Sequence, residues 1–284
     1  MVKKYFVRFQ VLITMFLFFN IHSAALGCTI WASIGSVNRS RGVFLVKNRD
    51  AEASGIEVMR IVHPEKGNEY FGLLYNHHVD SKKFPYISAG INREGLSVVN
   101  ASIMTVHVKN RDKGESILIR KLLTKYSSVH QVLNHAKKIF STGLVNNLLL
   151  ADKHEIADIE IGPKGHYMIR HKKNGVIAHT NQYEYGTLCQ LNKWPFKNGK
   201  IRLHTINSYL KPEQRPFTYL YFLKLTNLRQ HGLHNSIFRQ STLATIIFNV
   251  RLNNATKVYV RFSSPRQKQG VFNYVLNKKL WSQQ

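Results

Sequence analysis

Short apolar runs closed by turn residues lie on both sides of one pair of helical segments, and this pattern restricts the fold more than any other feature. Residues Thr29–Ile34, 42–46 and Ile56–Val62 read as strands. The second ends in the polar cluster Lys47-Asn48-Arg49-Asp50, and the third alternates up to Pro64. Two further strands, 86–91 and 96–101, are joined by Asn92-Arg93-Glu94-Gly95, which has hairpin-turn chemistry. Helices are expected over 115–126, with Ile117, Leu118, Leu122 and Leu123 at helical spacing, and over 129–140, capped by Ser127 or Ser128. Strands resume at 147–152, Ile156–Ile161, 166–171 and 176–180, a largely helical stretch fills 201–240, and strands at 243–250 and Lys257–Phe262 close the chain. No linker or repeat divides this order. It implies one α+β domain over 28–284, with helices covering stacked, largely antiparallel sheets.

Residues 1–27 read as a signal peptide. Lys3, Lys4 and Arg8 precede an uninterrupted apolar run, 11–19, and Ala25-Leu26-Gly27 gives the small-x-small pattern of a cleavage site. The run is about half the length that a membrane-spanning helix needs. The expected location is therefore periplasmic or extracellular. The formal net charge of +26 favours contact with anionic surfaces. The basic residues are dispersed, however (Lys172-Lys173, Lys197 to Lys200, Lys278-Lys279), with no basic helix or RNA-binding motif, so no specific nucleic-acid partner is expected.

Cleavage after Gly27 would leave Cys28 with a thiol and a free α-amine on one residue. An unperturbed α-amine, with a pKa of about 7.7–8.0, is a competent base for such a thiol. Two other roles remain open on placement alone, a lipid anchor and a structural cysteine with no special role. Bacterial lipoproteins also begin at a cysteine, although their motif prefers leucine three residues before it, and here Ala25 and Leu26 stand in the reverse order. A disulfide to Cys189, the second of two cysteines, would consume the thiol. The cluster at 47–50 bears on the choice: a hairpin begun at Cys28 would bring it back beside the thiol, where a cation favours thiolate and a carboxylate can hold the amine.

These segments resemble the choloylglycine hydrolase and penicillin acyltransferase group, linear-amide hydrolases of the N-terminal nucleophile superfamily. The likeness runs through Cys28-Thr29, Lys47-Asn48-Arg49-Asp50, Gly90-Ile91-Asn92-Arg93-Glu94-Gly95-Leu96, His179-Thr180-Asn181 and Ser241-Thr242-Leu243 with the closing hairpin. It implies a four-layer αββα sandwich, with Cys28 as nucleophile, Asp50 holding the α-amine and Asn181 holding the oxyanion or the amine. Lys47 stands where the group carries arginine, keeping the charge and losing the forked donor. Arg49 is expected to point away from it. Arg202 is the loose match to a later arginine, and Asn100 is the nearest candidate for an oxyanion donor.

The implied reaction is hydrolysis of a linear, non-peptide N-acyl amide through a thioester, or acyl transfer by the same residues. The rival is a cationic exported lipoprotein without catalysis. No cofactor is needed, because nucleophile and base share a residue. No metal is expected either: His77-His78 lacks a carboxylate at ligand spacing. Cys189 is read as a small buried residue, and Tyr219, Tyr221 and Phe222 as helix packing. A homo-oligomer is left open.

Overall fold

The computed structural model describes residues 27–52, 55–77, 83–211, 216–252 and 254–282. The segment read from the sequence as a signal peptide, apart from Gly27, and His78 lie outside the described residues. Among the described residues, thirteen strands form two sheets. The first has the order β10 (Gly175–His179), β1 (Thr29–Ile34), β2 (Val43–Asp50), β11 (Thr242–Val250), β12 (Lys257–Phe262) and β13 (Gly270–Val275). The second is a meander from β3 (Ile56–Val62) and β4 (Tyr70–Asn76) through β5 (Tyr86–Asn92), β6 (Ser97–Asn100), β7 (Asn146–Ala151) and β8 (Ile156–Ile161) to β9 (Tyr167–Lys172). Every pairing is antiparallel.

The strand periodicity sorts residues into layers. Ile30 and Ala32 of β1 and Leu45 of β2 face inward and meet Phe71, Leu73 and Leu149 of the second sheet. The alternate residues Trp31, Phe44 and Val46 face outward, onto α4 (Lys197–Tyr209) and α5 (Tyr219–Leu225), through Ile206 and Phe222. The outer face of the second sheet packs Val98 and Leu150 against α1 (Arg111–Lys125), α2 (Val129–Asn134) and α3 (Ala136–Phe140). The order helix, sheet, sheet, helix is the expected αββα sandwich. Central strands buried on both faces carry nearly continuous apolar runs, because neither face meets water. Among the described residues no helix is long and apolar enough to cross a membrane.

Several boundaries differ from the sequence reading. Helix α1 starts at Arg111, four residues early, after Asn110 at φ 51°. Its buried stripe is then Glu115, Leu118, Ile119, Leu122 and Leu123, while Ile117 is exposed. Ser128 caps α2, accepting from the Gln131 amide at 3.2 Å. The second predicted helix breaks at His135 into α2 and α3. Strands β4 and β13 and the helical turn Lys278–Trp281, which follows β13, are additions to the expected set. Phe222 is fully buried and stacks on Phe44, so this part of the helical region is packing as expected.

Candidate active site

The β1–β2 register pairs Thr29 with Asn48 and brings the 47–50 cluster beside Cys28. Cys28 is 7% exposed and lies at a cavity of about 290 Å³ between the sheets. Period-two alternation explains the lining. Cys28 continues the inward series of Ile30 and Ala32, and Lys47 and Arg49 continue that of Val43 and Leu45. Lys47 and Arg49, two apart, therefore share a face. This corrects the expectation that Arg49 points away: it lines the same cavity, ion-paired with Glu57 and with its guanidinium 4.0 Å from the Tyr75 ring centroid.

Lys47 is 1% exposed, and its ammonium donates to Ser88 O at 3.0 Å and Asn100 Oδ1 at 2.8 Å. Burial holds its pKa below the usual ammonium value, against the attraction of Cys28. Asn100 in turn donates through Nδ2 to Glu115 Oε2 at 2.7 Å, and Ser102 Oγ donates to the same oxygen at 2.8 Å. Burial pushes the Glu115 carboxyl up to about 7. The Asn100 amide is thus directed at Glu115 in this structure, while the residue lines the cavity.

Asn48 faces the helical layer, while Asp50, at the strand end, also borders the cavity. Asn48 is held by Thr226 O and Ile237 O. Asp50 accepts from Thr242 Oγ1 at 2.6 Å and from Arg239 Nε at 3.0 Å. Arg239 also donates to the carbonyl of Gly27. Arg202, projecting from α4 and fully buried, donates to Cys28 O at 2.7 Å, Thr29 Oγ1 at 2.6 Å, Asn198 Oδ1 at 3.1 Å and Asn181 Oδ1 at 3.0 Å. Asn181 donates to Ser102 O at 2.9 Å, and its amide nitrogen carries a second hydrogen. A side chain on Gly27 would meet Asn181 Oδ1 at 2.4 Å, so the residue before Cys28 fills space next to Asn181.

The backbone that delivers Asn181 is anchored by a buried ion pair. His179 closes β10 and is fully buried, with Nδ1 2.8 Å from Thr180 O and Nε2 2.6 Å from Glu160 Oε1. Both partners are acceptors, so both ring nitrogens carry hydrogen and the ring is an imidazolium. Burial opposes the charge, but Asp158 and Glu160 outweigh it and push the pKa up to about 9.

All six residues singled out in the sequence, Cys28, Lys47, Asp50, Asn100, Asn181 and Arg202, are assembled around this one place. Cys189 departs from expectation: it is exposed, on the short 3-10 turn Gly186–Leu191. Both cysteines are free, so no disulfide consumes Cys28.

A family model, acyl-coenzyme A:6-aminopenicillanic acid acyl-transferase, matches residues 37–267. The chain belongs to this family. Among solved structures it is similar to an arginine-to-leucine variant of conjugated bile acid hydrolase from Clostridium perfringens, with a TM-score of 0.52 and 13% identity over 88% of this chain and 98% of that one. No curated protein matches the sequence. The family and the shared sandwich agree with the resemblance drawn from the sequence, to N-terminal nucleophile amide hydrolases and acyltransferases of the choloylglycine hydrolase type.

The sequence reading missed Arg239, Ser88 and Glu115. Arg239 carries a faint signal, since it stands three residues before the first residue of the strand that pairs with the end of β2, where Thr242 is opposite Asp50. Glu115 carries a stronger one: with α1 begun at Arg111, a carboxylate falls on the buried stripe of the helix.

Proposed function

We propose that this chain is an exported amidase of the cysteine N-terminal nucleophile type, cleaving a linear N-acyl amide through a thioester at Cys28. The observation that carries the reading is a cysteine at a cavity, beside a buried ammonium, one residue after a cleavage pattern, in the fold of this family. Once residues 1–27 are removed, the Cys28 α-amine takes the thiol proton. The sulfur attacks the substrate carbonyl, and the second Asn181 N–H is available to the resulting oxyanion. The α-ammonium returns the proton to the departing amine. Water, activated by the same amine, then hydrolyses the thioester. Asp50 lines the cavity beside residue 27, and Arg239 links its carboxylate to the carbonyl of residue 27. Their proposed work is to fix the terminus after cleavage. An acyltransferase would use the same residues with an amine in place of water.

Cys28 is buried, and its carbonyl is held by Arg202, which favours a nucleophile over a lipid-bearing terminus. Gly27 lines the cavity, so processing would both free the amine and vacate space beside Asn181. The test is Cys28→Ser, assayed for amide turnover together with thermal melting. Loss of turnover with melting retained is expected. Near-normal turnover in the correctly processed variant contradicts the mechanism.

A further inference from the structure

The part of the cavity wall formed by β5 and α1 is polar, and two of its buried oxygens have no partner. Ser88 is 4% exposed and Glu115 is 5% exposed. Ser88 Oγ and Glu115 Oε1 are both buried without a hydrogen bond, and both residues line the cavity that holds Cys28. Other buried side-chain atoms of the described residues also lack a partner, but these two oxygens share the cavity that holds Cys28, where a bound substrate can reach and complete them.

The chemistry of that ligand follows from what is already spent. Glu115 Oε2 is filled by Asn100 Nδ2 and Ser102 Oγ, leaving Oε1 as the open atom of the carboxylate. The cations nearest the thiol are engaged: Lys47 by Ser88 O and Asn100 Oδ1, Arg49 by Glu57. Arg111, one turn before Glu115 on α1, donates through its Nη atoms to Met104 Sδ and Val106 O and leaves Nε unpaired. Ser88 Oγ can accept or donate, and Glu115 Oε1 accepts whenever the carboxyl is ionised, so a ligand N–H or O–H completes both above about pH 7. The basic composition of the chain as a whole suggests anions, and the open valences of Glu115 and Ser88 do not.

We infer that Glu115 is a specificity-determining residue that selects amide substrates carrying an amino or hydroxyl group, whose N–H or O–H is donated to Oε1. The inference rests on the amidase reading for its reaction and on the cavity wall for its selectivity. A wholly hydrocarbon acyl chain or amine would leave Glu115 and Ser88 buried and unpaired, which is how a site built for a hydrogen bond rejects an analogue without one.

The experiment compares near-isosteric 4-nitroanilides at two acyl lengths, ending in ammonium, hydroxyl or methyl. Turnover is measured on the processed enzyme, and binding of the intact amides is measured by calorimetry on Cys28→Ser, which needs no chemistry. Wild-type kcat/KM and affinity should both favour the ammonium and hydroxyl forms over methyl by about tenfold or more. Glu115→Gln places an amide oxygen under the donors from Asn100 and Ser102 and turns an NH₂ toward the cavity. The ammonium preference should then disappear while the methyl-ended substrate is still bound. A purely structural role would lower all three substrates together and leave their ratios unchanged. Equal or better use of the methyl forms by wild type, in turnover and in binding, overturns the inference and leaves the amidase reading standing. Selective binding without turnover or Cys28 acylation does the reverse.

Discussion

The buried pair His179–Glu160 makes folding stability depend on pH in a defined window, and the dependence can be isolated by one substitution. Both imidazole nitrogens face acceptors, Thr180 O at 2.8 Å and Glu160 Oε1 at 2.6 Å, so folding binds a proton that the unfolded chain holds less tightly. The charged groups around the ring are Glu160 and Asp158 of β8, with Arg170 of β9 stacked on Tyr185, which itself packs against His179. The folded pKa of about 9 lies above the unfolded value of about 6.5. The contribution is therefore complete below about pH 6.5 and is lost as the pH rises through about 9. The difference corresponds to roughly 3 kcal/mol. Urea unfolding of wild type and His179→Gln at several pH values between about 5.5 and 9.5 measures it. The glutamine cannot titrate, so other titrations common to both proteins cancel in the difference. The stability gap should narrow by about 3 kcal/mol across that range. Parallel curves would refute the imidazolium assignment.

Three further predictions concern the site. Lys47→Met should slow iodoacetamide alkylation of Cys28 at neutral pH, and Lys47→Arg should retain it; Arg49→Met should have the smaller effect, because Glu57 already balances its charge. Arg202→Met removes the donors to the buried acceptors Cys28 O, Thr29 Oγ1 and Asn181 Oδ1 and should cost about 3 kcal/mol or more in urea unfolding, with Asn181-dependent activity lost before the fold. A precursor that keeps Gly27 should be inactive in amide turnover, since residue 27 abuts Asn181 and ties the amine up as an amide; full activity in mass-verified precursor would show that another group is the base.

Much of this molecule is legible in the sequence because strand periodicity and turn chemistry act locally. The hairpin from Cys28 to Asp50 follows from two apolar runs and a turn, and it alone assembles thiol, ammonium and carboxylate. What failed were inferences that need a register or a boundary. Arg49 was assigned to the wrong face although alternation, applied from Lys47, puts the two together. Glu115 stayed hidden because α1 was begun four residues late, which drew the apolar stripe through Ile117 instead of Ile119. Arg239 and Ser88 reach the site only through tertiary packing, from the end of the helical layer and from the facing sheet. Strand β4 offered no alternation to read, since all its residues are buried.

The central claim is that processed Cys28 carries the acyl group during turnover. Its most direct test is intact-mass and peptide mass spectrometry of the processed enzyme, quenched in acid during reaction with a slowly hydrolysed amide. The account predicts a chain beginning at unmodified Cys28 that gains the mass of the acyl group on that residue, with the adduct removed by neutral hydroxylamine. A lipid-modified Cys28, or turnover with no adduct on Cys28 under conditions that trap thioesters, would contradict it.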